Sequence, residues 1–79
     1  MLYMATEPRN PEQLTLKAEE VAWLVGVKSG KTILRWVQKG QFPKPMRIEG
    51  STRWSRTEVE LWQRVNGDMR KFYREKRGK

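Results

Sequence analysis

Residues 18–40 read AEEVAWLVGVKSGKTILRWVQKG. Apolar side chains fall at Ala18, Val21, Ala22 and Val25, the i, i+3, i+4, i+7 spacing of one helix face. Glu19 and Glu20 lie in the first turn, where the helix dipole favours negative charge. Gly26 can take the left-handed conformation that ends a helix, Val27 then points back to the core, and Ser29 offers an N-cap. A second helix is expected from about Gly30 to Lys39, stopping at Gly40. With about 100° between successive residues, Ile33, Trp36 and Val37 share one face. Lys31, Arg35 and Gln38 share the other, again at i, i+4, i+7. Taken alone, such a charged stripe is a solvated face. Two short helices joined through a glycine-containing turn change its meaning, because that geometry leaves the outer face of the second helix free to enter a major groove.

Working outward towards the C-terminus, Phe42-Pro43-Lys44-Pro45 is a rigid extended connector, since each proline fixes its own φ and biases its predecessor away from helix. Met46 to Trp54 reads as a hairpin. A two-residue Gly50-Ser51 turn would mix apolar and charged side chains on each face. A three-residue Glu49-Gly50-Ser51 loop pairs Met46 with Trp54, Ile48 with Thr52 and Arg47 with Arg53, and sends the apolar side chains inward. That register is preferred. It sets two arginines opposite each other, a repulsion that a phosphate between them would relieve. Ser55-Arg56-Thr57-Glu58 matches the capping box that opens a helix, and Val59, Trp62 and Val65 would face inward from it. Asn66-Gly67 could stop this third helix. Met69, Phe72 and Tyr73 continue the same angular stripe, however, so a helix bridging Gly67 at a cost of about 1 kcal/mol is the alternative. Residues 74–79 read as a basic, frayed tail.

Towards the N-terminus, Leu14, Thr15 and Leu16 suit a short extended lead-in, while residues 1–13 have no periodicity and two prolines, as a flexible arm would. The chain of 79 residues thus divides into an arm (1–13), one domain (14–66) and a basic C-terminal tail (67–79). The expected fold is mainly α with a small β-hairpin.

Charge is unevenly distributed. Residues 1–26 carry a net −2, residues 27–66 a net +6 and residues 67–79 a net +4, which together make the chain's +8. A basic surface of this kind attracts polyanions, because each phosphate neutralised releases condensed counterions. Neither cysteine nor histidine occurs, so disulfides, thiolate metal sites and the commonest general base are all missing. Gly30-Lys31-Thr32 imitates the end of a phosphate-binding loop, but the full pattern needs glycine at position 25, where Val25 stands. Glu58 and Glu60 point apart on their helix, so no acid/base pair is visible. These features point away from an enzyme, a cofactor or a small-molecule ligand. No apolar run approaches the roughly 18 residues of a membrane span, and no leader opens the chain, so a cytoplasmic, nucleoid-associated protein is expected.

Taken together, Glu20-Val21-Ala22, Gly26-Val27, Ser29 with Thr32-Ile33, Gly40-x-Phe42-Pro43-Lys44-Pro45, and Arg53-Trp54 with Glu58-Val59-x-x-Trp62 resemble the AlpA-like phage and mobile-element regulators. That family is related to excisionases (recombination directionality factors) and to the MerR-type winged DNA-binding domain. The resemblance spans residues 14 to about 66. It implies a winged helix-turn-helix whose second helix reads the major groove while the wing touches the adjoining backbone or minor groove. Ser29, Lys31, Thr32 and Arg35 would lie on the recognition helix and Arg53 on the wing. Lys28, Gln38, Arg47 and Arg56 complete the expected DNA-binding set. The function expected is sequence-specific binding of double-stranded DNA in support of integrase-mediated excision. Transcriptional regulation of mobile-element genes is the alternative. An RNA-binding protein is a further one, disfavoured by the lack of an RNA-type motif.

Trp36, Trp54 and Trp62 fall on apolar faces and read as core. Trp23 lies on the far side of its helix, and Leu61 is a weaker case of the same kind. Either each is an incidental surface residue, or each contacts another protein or protomer; the Met69, Phe72 and Tyr73 stripe would dock on a neighbouring protomer, in self-association along DNA, or on its own core. An integrase or recombinase is a further candidate partner. Arg70, Lys71, Arg74, Lys76 and Arg77 would track phosphates from the tail.

Overall fold

The computed structural model describes Ala5, Glu7 and residues 13–78. Thr15–Leu16 forms a short strand, β1, and Ala18–Val25 the first helix, α1. The Lys17 backbone N–H donates to Glu20 Oε1 at 2.8 Å, so Glu20 satisfies one of the amides left unpaired at the helix start. At its other end the N–H groups of Gly26 and Val27 both donate to the Ala22 carbonyl, at 2.9 and 3.0 Å. Four residues then lead to the second helix, α2, Gly30–Gln38, with Ser29 at its N-cap. The Ser29 hydroxyl makes no cap hydrogen bond; its carbonyl accepts from Thr32 N–H at 3.2 Å.

α1 and α2 meet at Gly30. A Cβ there would sit 2.7 Å from Ala18 Cβ and 3.0 Å from the Ala18 carbonyl carbon. The absence of a side chain therefore sets how closely, and at what angle, α2 lies on α1. Gly30→Ala is expected to lower stability by about 1–3 kcal/mol, the usual result of overpacking. Chemical denaturation measures it, and an unchanged midpoint would show that the two helices have slack.

Met46–Ile48 (β2) and Ser51–Ser55 (β3) form the hairpin, and β1 pairs with the other edge of β3. The result is a three-stranded antiparallel sheet in the order β1-β3-β2. The hairpin register differs from the expected one. Met46 faces Arg53, Arg47 faces Thr52 and Ile48 faces Ser51. The loop is the pair Glu49-Gly50, with φ of 50° and 79°, the two left-handed residues that a type I′ turn requires. The expected register sends the apolar side chains inward, and glutamate, an unusual first residue for that turn, gives no signal for this one. As a consequence Met46 and Ile48 are 42% and 41% exposed rather than inward. Arg47 and Arg53 do not oppose each other; they lie on opposite faces of the hairpin.

Ser55 caps the third helix, α3, Arg56–Arg64, by accepting from Glu58 N–H at 3.4 Å. The helix ends at Val65. Asn66 and Gly67 then take consecutive left-handed conformations, φ 56° and 76°, and Asp68 caps a separate helix, α4, Met69–Arg77. The Asp68 carboxylate accepts from Arg70 N–H at 3.0 Å and Lys71 N–H at 3.2 Å. The bridging helix is thus overturned, and the expected fraying of residues 74–79 is contradicted through Arg77. Among residues 1–13, most of the expected arm lies outside the described residues; Ala5, which is described, donates its N–H to the Lys28 carbonyl at 3.0 Å and packs on the core.

The core comprises Leu16, Val21, Ala22, Ile33, Phe42, Trp54 and Val59. Phe42, read from sequence as connector, is buried at its centre. Its ring lies edge-on to Trp62 at 4.7 Å and to Trp54 at 6.3 Å, while Trp36 stacks on Trp62 at 5.7 Å. Two indole N–H groups pin the connector: Trp62 donates to the Gln41 carbonyl at 3.0 Å and Trp54 to the Pro43 carbonyl at 2.9 Å. These bonds tie the C-terminal end of α2 to β3 and α3, and so place the hairpin relative to α2.

Candidate nucleic-acid interface

The outer face of α2 is built by burial on its inner face. Ile33 is fully buried, Trp36 and Val37 pack against the core, and Lys31, Arg35 and Gln38 consequently stand exposed. Thr32 and Ser29 are half-buried beside them, and Lys28 is exposed in the turn. Among the described residues neither Lys31 nor Arg35 forms an ion pair. Leu34, 41% exposed, lies three residues from Lys31 on the same outward surface and was missed from the sequence. The signal was available: Leu34 falls beside the basic stripe, outside the apolar arc of Ile33, Trp36 and Val37.

On the hairpin, Arg47 is exposed and Arg53 half-buried, with Arg53 Nε donating to Ser51 Oγ at 3.1 Å. This bond holds the guanidinium along the strand near the turn. Arg56 belongs elsewhere. Its side chain is only 19% exposed, pairs with Glu60 at 3.5 Å and donates to the Gln13 carbonyl at 3.2 Å. It fastens the N-terminal segment to α3, a structural task that its place after the wing did not reveal.

The tail residues are divided by the fold. Phe72 is fully buried and Met69 half-buried, while Tyr73 remains 45% exposed with its ring 5.3 Å from that of Phe72. The stripe is expected from sequence to dock on a neighbouring protomer or on its own core; Phe72 is buried within its own chain, so all three side chains together are not offered to a neighbour. Lys76 is paired with Glu58 at 2.7 Å and stands over the Phe72 ring. Arg70, Lys71, Arg74 and Arg77 are exposed. Leu61 is half-buried, and with Glu58, Arg64, Glu75 and Lys76 it lines a crevice of about 370 Å³ beside α4. Trp23 is 46% exposed on α1, as expected.

Comparison with family models, characterised proteins and solved structures returns no match to this chain. The class is therefore defined by the geometry of the described residues: a small α/β domain in which they form four helices and a three-stranded antiparallel sheet. Among the described residues no helix is long and apolar enough to cross a membrane.

Proposed function

We propose that the chain is a winged helix-turn-helix protein that binds duplex DNA, with α2 in the major groove and the β2–β3 hairpin as the wing. The observation that carries this reading is the stripe of Lys31, Arg35 and Gln38, fully outward on a helix whose other face is locked into the core. Arginine and lysine can meet guanine edges or phosphates, glutamine can meet adenine, and Leu34 offers an apolar contact of the kind that a thymine methyl accepts. The hairpin adds an arginine on each face. A tip entering a minor groove about 6 Å wide would direct Arg47 and Arg53 towards opposite phosphate walls.

Arg35→Ala is expected to weaken specific binding by about 1–3 kcal/mol and to relax selectivity at one base pair, whereas Lys31→Ala weakens all sequences alike. Titration by gel shift, after selection of a preferred duplex from a random pool, measures both. Unchanged affinity in both variants would remove α2 as the reader.

The biological role proposed with this activity is accessory: assistance to an integrase in excising a mobile element. It is supported by the resemblance carried by Gly40-x-Phe42-Pro43-Lys44-Pro45, Arg53-Trp54 and Glu58-Val59-x-x-Trp62. Footprinting across the parent element separates this role from gene regulation. Protection of several direct repeats near an attachment site favours excision, with protomers side by side; one protected operator at a promoter favours the regulator.

A further inference from the structure

We infer that α4 is a second DNA-contacting element, whose ridge of Arg70, Arg74 and Arg77, flanked by Lys71, lies on duplex phosphates beyond the site read by α2. The inference rests on the duplex-binding reading above and extends its footprint. Spacing comes first. At about 100° per residue the three arginines fall within roughly 60° of arc, with Lys71 at its edge, and the fully buried Phe72 points to the opposite side. Burial of Phe72 and the 2.7 Å pair between Lys76 and Glu58 hold the helix on α3 with this ridge outward. The ridge is thus a fixed surface rather than a loose tail.

Electrostatics comes second. Like charges at i, i+4 destabilise a helix, and a cation in the first turn, as at Arg70, opposes the dipole. Asp68 meets the helix end through the backbone N–H groups of Arg70 and Lys71, but among the described residues none of the three arginine side chains forms an ion pair, and Glu75 turns towards the crevice. An arrangement unfavourable within the protein becomes favourable against a polyanion. Of polyanionic surfaces, a membrane would need a broad apolar face beside the cations; Phe72 is already buried against the domain, and the half-exposed Tyr73 alone does not supply one. A duplex needs none. From Arg70 to Arg77 the helix rises about 10 Å, close to three steps of 3.4 Å along one strand of a duplex.

The test compares wild type with a triple variant, Arg70→Gln, Arg74→Gln and Arg77→Gln, and with its Arg→Lys counterpart. Binding to a mixed-sequence duplex of about 30 base pairs, nearly three helical turns, is followed against salt. Each lost phosphate contact removes about 0.9 from the slope of log affinity on log salt, so the glutamine variant should fall by about 2–3 and the lysine variant should hold. Thermal unfolding of the lysine variant should match wild type, and the glutamine variant, relieved of the like-charge repulsion, should unfold at or slightly above it. A glutamine variant with the wild-type slope overturns the ridge but leaves α2 as a reader. So does a glutamine variant that keeps its DNA slope but loses binding to phosphatidylserine vesicles. A wild-type protein that binds no duplex overturns both readings.

Discussion

Trp54→Ala is expected to unfold a large fraction of the protein. The side chain is fully buried between the connector and the sheet, its ring packs edge-on against Phe42, and its N–H donates to the Pro43 carbonyl at 2.9 Å. Removing a buried tryptophan costs about 3–5 kcal/mol. A domain of this size has a total of about 4–12 kcal/mol, so the loss takes a quarter or more of it. Trp54→Phe separates packing from hydrogen bonding. It keeps most of the ring and strands the Pro43 carbonyl, a loss of about 1–3 kcal/mol. Urea denaturation followed by far-UV circular dichroism measures both variants. Similar midpoints for the alanine variant and wild type would show that the connector is held by Phe42 and Trp62 alone.

Phe72→Ala is expected to have an effect as large but confined. Phe72 is fully buried, yet it lies outside the core cluster that joins α1, α2, β3 and α3. Its removal should cost α4 about 3–5 kcal/mol of docking. A nine-residue helix cannot persist without such support, since isolated helices shorter than about 12–15 residues are marginal in water. Amide exchange should therefore become fast at residues 70–77 and stay slow in α1, α2 and α3. Lys76 would be released from Glu58, adding a free cation to a disordered segment. Slow exchange persisting in α4 would show that the Lys76–Glu58 pair and the Asp68 cap suffice to hold it.

The helix pair was legible in residues 18–40 because both elements are short, amphipathic and punctuated. Ala18, Val21, Ala22 and Val25 recur at helical spacing, Gly26 stops the first helix, and Ser29 precedes the second. The stripe of Lys31, Arg35 and Gln38 followed from the same period, for burying Ile33 leaves no other side for the charges. The hairpin was legible as a hairpin but not in register. Its alternation allows neighbouring registers, and a left-handed Glu49 contravenes the residue preference that would have chosen between them.

By itself the sequence determined what local periodicity and composition can determine: the span of α1 and α2, the outward basic stripe, the capped start of α3, and a net charge of +8 suited to a polyanionic partner. Tertiary structure alone decided the rest. Phe42 became core because two indole donors, Trp54 and Trp62, reach the carbonyls on either side of it from elements distant in sequence. Arg56 and Lys76 became internal ties because Gln13 and Glu58 came within reach only in the folded chain. The tail became a helix, with Arg70, Arg74 and Arg77 outward, because Phe72 found a buried seat beyond the left-handed turn at Asn66-Gly67. Long-range burial and pairing have no local period, so no reading of neighbours along the chain could have supplied them.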